Sequence, residues 1–241
     1  MKNLKVFINS LIIFIVSSFQ FMNGQESRII ITERPDLELL YRLRLNRTMS
    51  GIEKVNYSSI DGDPFLYKDF VPGNLTLKTG ETLPLYLRYD IYTDEMQFRQ
   101  KDEIYALINI ESVYLVMMDT LRFIYARYIK SPGDISSFQN SWFLLKEDGK
   151  CRLLIKKNLR LQSAEDAKPY QAPKAAKFIH TRDIYYIKPE GKNAVKIDSR
   201  KDILDVLADK KDELSGFIKA KRLDVKEVDD LAKIVSFYNN L

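Results

Sequence analysis

The sequence predicts an α+β protein: mainly antiparallel β, as a sandwich or partly open barrel of hairpins, with a C-terminal cluster of two to three helices. Three observations carry this prediction. From Asp63 onward, short segments are separated by turn residues at intervals of about ten, the spacing of an antiparallel domain. Two apolar runs, Trp142 to Leu145 and Cys151 to Ile155, are joined through Asp148-Gly149, which supplies the positive φ of a tight hairpin. After Ser199 the apolar spacing changes from two to three and four.

Taken in chain order, the clearest strand is Leu83, Leu85, Leu87 and Tyr89, alternating with Pro84, Tyr86, Arg88 and Asp90. A turn near Tyr92-Thr93-Asp94 leads to a second strand with Met96 and Phe98 on one face and Glu95, Gln97 and Arg99 on the other, so the hairpin has one wet face. Density of Thr, Val, Ile and Tyr without Gly or Pro predicts further strands over Glu103 to Ile108, Ser112 to Val116 and Leu121 to Tyr128, ended by Ser131-Pro132-Gly133-Asp134. Ala164 to Lys177, broken by Pro169 and Pro173, reads as a crossing loop. A last hairpin joins Asp183–Ile187 to Ala194–Ile197. Ser199 with Asp202 resembles a capping box before Ile203, Leu204 and Leu207. A second helix carries Leu214, Phe217 and Ile218, and a third, capped by Asp224, carries Val228, Leu231, Val235 and Tyr238.

The organisation follows: 1–24 a signal peptide, 25–59 a lead-in with one short element, 60–198 the β domain and 199–241 helices packed on it. Lys2 and Lys5 precede an apolar run from Val6 to Val16 that closes on Ser17, Ser18, Asn23 and Gly24. That run is shorter than the roughly 18 to 20 residues of a spanning helix and is interrupted by Asn9 and Ser10, so cleavage between Gly24 and Gln25 and export are expected, with no transmembrane segment afterwards. Cys151 is the only cysteine, so an intramolecular disulfide is excluded, and a bacterial lipid anchor, which needs a cysteine at the first mature position, is not expected. For a bacterial chain the expected location is the periplasm or an association with the outer membrane.

The formal charge of +5 loses two when Lys2 and Lys5 leave, and the remaining cations are interleaved with carboxylates, as at Lys210, Lys211, Asp212 and Glu213. No concentrated basic stripe is present, so nucleic acid is not an expected partner. Nine scattered glycines form no phosphate-binding fingerprint, and one histidine with one cysteine cannot supply a zinc site, so no cofactor and no metal are expected. His180 and Cys151 read as a loop residue and a half-buried strand residue. Carboxylates at Asp61, Asp63 and Asp69, or at Asp90, Asp94 and Glu95, would have to converge to about 5 to 10 Å across a cleft to hydrolyse a glycoside; Asp in turns more often serves the backbone. No catalytic residue is assigned. The chain's 14 tyrosines, 13 phenylalanines and one tryptophan offer binding instead, and Tyr86, Tyr92, Tyr105 and Trp142 are the candidates to face outward.

The stretch Gly62-Asp63-Pro64-Phe65-Leu66, then Phe70-Val71-Pro72-Gly73, then Leu87 to Phe98, resembles a group of signal-bearing, uncharacterised envelope proteins of Bacteroidota. The ending Lys210 to Leu214, Phe217-Ile218-Lys219 and Tyr238-Asn239 is similar to theirs as well. The resemblance implies an address in the cell envelope and no particular activity. In a bacterium the Asn-x-Ser/Thr sequons at Asn46, Asn56 and Asn74 are chance matches. The expected function is a non-catalytic envelope binding or assembly module with an envelope protein as partner; the alternatives are a carboxylate-based glycan hydrolase and a carrier of an apolar ligand.

Overall fold

The structure is a computed structural model and describes residues 44–46, 57–108, 110–129, 138–167 and 172–241. The leader, most of the lead-in, Asn56 and the turn at 131–134 lie outside the described residues.

The chain is α+β and dominated by strands: β1 Arg44–Asn46, β2 Val71–Leu77, β3 Thr82–Asp90, β4 Glu95–Gln100, β5 Glu103–Leu107, β6 Val113–Met118, β7 Leu121–Ile129, β8 Phe138–Glu147, β9 Cys151–Lys156, β10 Leu159–Gln162, β11 Lys177–His180, β12 Ile184–Pro189 and β13 Ala194–Lys196. Three helices follow, α1 Arg200–Val206, α2 Lys211–Lys221 and α3 Val228–Asn239. None of the helices among the described residues is long and apolar enough to cross a membrane.

The main sheet runs β1-β5-β4-β3-β2-β6-β7-β13-β12-β9-β8, and β8 returns to pair with β7. Strands β7, β8, β9, β12 and β13 therefore close a ring, while β6 to β1 extend from it as an open antiparallel sheet. Only β13 against β7 is parallel among the pairings of this sheet. The joint is possible because β7 is long: on one edge β6 takes Leu121 to Phe123 and β13 takes Tyr128 and Ile129, while β8 takes Phe123 to Ile129 on the other.

Alternation along β7 splits the core. Phe123 joins a cluster with Leu75, Leu87, Tyr89, Phe98 and Trp142 on the inner face of the open sheet. Ile124, Ala126 and Tyr128 point the other way and fill the ring with Phe143, Leu145, Leu154, Tyr186 and Ala194. Within it, Tyr128, Phe143 and Tyr186 meet pairwise edge to face with centroids 5.1 to 5.5 Å apart, so side chains occupy the interior of this small ring. The outward residues of β9 and β12, Cys151, Leu153 and Ile187, receive Ile203, Leu207, Leu214, Ile218, Leu231 and Val235 from the helices. The strands approach closely at Gly73, where a Cβ would lie 2.3 Å from the Met117 carbonyl oxygen and 2.5 Å from Leu87 Cδ1.

Two expectations need correction. Ala164–Lys177 does not cross between parts of the sheet: β10 and β11 pair with each other as a separate ribbon, extended by a bridge between Glu165 and Lys174. Asp224 does not cap the last helix; its carboxylate accepts from the Lys226 amide in a turn, and α3 begins after Glu227. Within the lead-in, Arg44–Asn46 adds β1 to the edge of β5. The capping box at Ser199 is formed, with Asp202 N donating to Ser199 Oγ and the Asp202 carboxylate accepting from Ser199 N.

Helix α3 is locked to the β8–β9 turn by one side chain. Asn239 accepts from Cys151 N at 2.8 Å and donates to the Cys151 carbonyl at 2.9 Å, while Gly149, at φ 150°, leaves room that any Cβ would take from the Asn239 amide. Replacing Asn239 by Ala strands the buried backbone N–H and C=O of Cys151. The expected loss is about 1 to 3 kcal/mol, read as a lowered urea midpoint at unchanged m-value.

Candidate binding surface

The wet face predicted for the β3–β4 hairpin is the outer face of the open sheet, exposed at Tyr86 and Arg99 but covered at Asp90 and Gln97, which are 0% and 1% exposed. Register places Ile104 opposite Arg99, Arg99 opposite Tyr86 and Tyr86 opposite Pro72, so one row of side chains crosses four strands. Tyr86 and Ile104 are 39% and 38% exposed, high values for large apolar groups within a sheet. In the neighbouring row Arg88 lies opposite Gln97, whose side-chain oxygen accepts from both Nε and Nη2 of Arg88 at 3.2 and 2.9 Å.

The segment before β2 lays aromatic rings over these arginines. The Arg88 guanidinium sits 3.6 Å from the Phe65 centroid and 4.3 Å from that of Phe70; Arg99 lies 5.5 Å from Phe70 and 5.4 Å from Tyr86. Phe65 in turn meets Tyr57 edge to face at 5.8 Å, and Tyr57 meets Tyr92 and Phe178. An unbroken series of ring and guanidinium contacts thus runs from exposed Tyr92 to exposed Tyr86. Its geometry is held from below: buried Asp90 accepts from Tyr57 Oη at 2.7 Å and from the amides of Tyr92 and Thr93.

Of the four candidate aromatics, Tyr86 and Tyr92 lie on this surface, both 39% exposed. Tyr105 and Trp142 do not face out. Tyr105 is opposite inward-facing Phe98 and stacks on it at 5.4 Å; Trp142 is opposite Tyr125 and sinks between the open sheet and the ring. The parity of each strand decides this, and parity is fixed by register with the neighbouring strand. The sequence did mark Arg88 and Arg99 as wet-face residues. Phe65 and Phe70 were missed, because outside a strand no period shows where a ring folds back.

Three of the carboxylates available for hydrolysis, Asp63, Asp90 and Asp94, are engaged in structure. Asp90 organises the β3–β4 turn, and Asp63 accepts from Phe65 N at 2.9 Å. Asp94, at φ 56°, reaches across to the ring: one carboxylate oxygen accepts from Tyr89 Oη at 2.7 Å and Trp142 N at 3.3 Å, the other from Ser141 Oγ at 2.6 Å and Lys156 Nζ at 3.4 Å. Lys156 also donates to Ser141 Oγ. A serine between a lysine and a carboxylate can serve as a nucleophile in an open cleft, but Ser141 is 0% exposed and its oxygen meets no incoming reactant. Burial, then the Asp94 carboxylate, raise the Tyr89 phenol far above its usual range, so it remains a hydrogen-bond donor. The constellation works as a joint between hairpin and ring.

His180 ends β11 rather than lying in a loop, with Nε2 3.0 Å from the Asp63 carbonyl; Asp183 pairs with Lys157 at 2.8 Å. Cys151 is fully buried, not half-buried, and burial pushes its thiol up to about 12, which removes the thiolate needed for nucleophilic or metal chemistry at neutral pH.

The chain matches no protein-family model, no curated protein and no solved structure in the comparisons made with each.

Proposed function

We propose that the chain is an exported, non-catalytic envelope module of the kind its sequence resembles, and that it binds a protein partner through the outer face of β2–β5. The observation supporting this is the continuous cation–aromatic series from Tyr92 through Tyr57, Phe65, Arg88, Phe70 and Arg99 to Tyr86. Tyr and Arg are the residues most enriched where protein interfaces concentrate their energy. Here stacking and the Gln97 fork hold Arg88 in place before any partner arrives, which lowers the ordering cost of binding.

The test is a photoreactive phenylalanine analogue placed at Tyr86 or, as a control, at Leu241, which is 43% exposed beyond α3. After irradiation of intact cells, a discrete adduct is expected from position 86 and not from 241. Absence of an adduct at 86, or the same adducts from both positions, would sink this reading. Against the partner so identified, Tyr86→Ala is expected to weaken binding by roughly tenfold or more while shifting the thermal midpoint by no more than about 2 °C.

A further inference from the structure

Where β6 leaves β7 and before β13 joins it, the edge of β7 from Ile124 to Arg127 has no strand beside it among the described residues. A cleft of about 330 Å³ opens there, within the size range of small-ligand sites. Its charged and polar lining is Lys78, Glu111, Arg127, Asn140, Arg152 and Lys188. Ile110, Val113 and Ile124, with the rings of Tyr114 and Tyr125, supply an apolar wall. This lining shares no residue with the cation–aromatic series of the outer sheet face.

Four cations face one carboxylate in this lining. Arg152 is neutralised by Asp148, whose carboxylate accepts from Nε at 2.7 Å, which leaves a net charge of two positives on the walls. Arg127 is fixed by Phe138, its guanidinium 4.0 Å from the ring centroid. Lys188 is directly opposite Arg152 in the β9–β12 register and makes no salt bridge among the described residues, although it is partly withdrawn from water. That burial, with the Arg152 charge beside it, holds its ammonium below the usual lysine range. A desolvated cation facing another cation is normally compensated by an anion.

We infer that this cleft binds a phosphate monoester, with the phosphate between Lys188, Arg152 and Arg127 and the organic group against Ile110, Val113 and Tyr125. A phosphate monoester carries close to two negative charges at neutral pH, matching the excess on the walls, and its three terminal oxygens suit several converging donors. A soluble phosphorylated metabolite and a phosphatidate headgroup offer the same chemistry.

The experiment uses the chain from Gln25 onward and phenyl phosphate as probe, followed by calorimetry and by amide shifts in NMR spectra. Saturable binding is expected, with shifts centred on Ile124 to Arg127 and with Lys188→Gln weakening affinity by roughly tenfold, the consequence of losing one charge-assisted contact. A native amide spectrum of Lys188→Gln establishes that its fold is intact. No saturable binding by the native chain, shifts centred elsewhere, or equal affinity of the Lys188→Gln chain overturns the inference. Flotation with phosphatidate vesicles against phosphatidylcholine vesicles then separates the sources. Lysine-dependent capture by phosphatidate alone supports the site with a headgroup as ligand, and phenyl phosphate binding without capture supports it with a soluble one. A cross-linking failure at Tyr86 leaves these results unaffected, so the two proposals fail separately.

Discussion

Replacing Trp142 by Ala is expected to lower the stability of the folded chain by about 3 to 5 kcal/mol, the range for truncating a large aromatic side chain in a packed core. Its side chain is 1% exposed and lies where the open sheet meets the ring, against Tyr125 at 5.3 Å and within the cluster of Leu87, Tyr89, Phe98 and Phe123. A cavity at that joint loses contacts to both halves, and neither can move in without breaking the β7–β8 ladder that both share. The indole N–H finds no acceptor among the described residues, so Trp142→Phe removes an unsatisfied donor along with part of the volume. Chemical denaturation should therefore place Trp142→Phe well above Trp142→Ala. Near-equal midpoints for the two would show that the indole volume is not what holds the joint.

The second large effect is expected at Asp94. Its carboxylate collects the Tyr89 hydroxyl, the Ser141 hydroxyl, the Trp142 amide and the Lys156 ammonium, from β3, β8 and β9. Asp94→Ala leaves these donors without their acceptor and Lys156 without its counter-ion. Because the Asp94 and Lys156 side chains retain 28% and 21% exposure, water recovers part of the loss, and about 2 to 4 kcal/mol is expected. Asp94→Asn keeps an acceptor and tolerates the positive φ of the turn, so it should cost about half as much. Thermal unfolding of the two variants checks the order: about 2 to 4 °C per kcal/mol applies to a chain of this size. An Asn variant as unstable as the Ala variant would assign the effect to charge alone, and two unshifted variants would remove Asp94 from the joint.

Local patterns were sufficient for most of the elements. The alternation of Leu83 to Tyr89, the Asp148-Gly149 turn and the Ser199 to Asp202 capping box each write their structure within fewer than a dozen residues, because pleat, positive φ and helix caps are short-range physics. Ala164–Lys177 is not determined by short-range pattern. Its prolines rule out a helix, but whether its flanks pair with each other or with the main sheet depends on energies between segments.

The candidate surface was half legible. Tyr86, Arg88 and Arg99 share a parity opposite to the core leucines, and this alone puts them outside. Tyr105 falls inside, opposite Phe98, because a one-residue shift of register reverses the face on which every side chain of a strand emerges.

Short-range pattern was enough for the α+β class, the hairpin-rich order, the helical ending and the place of Cys151 in a strand. Long-range packing was needed for the rest: β7 divides its edge between β6 and β13, a five-stranded ring closes beside an open sheet, and Asp94 meets Ser141 and Lys156 from 47 and 62 residues away. The same edge division opens the cationic cleft. Backbone propensities and side-chain periods act over a few residues, whereas closure of a ring and convergence of charges depend on which distant edges find each other, and no local pattern carries that choice.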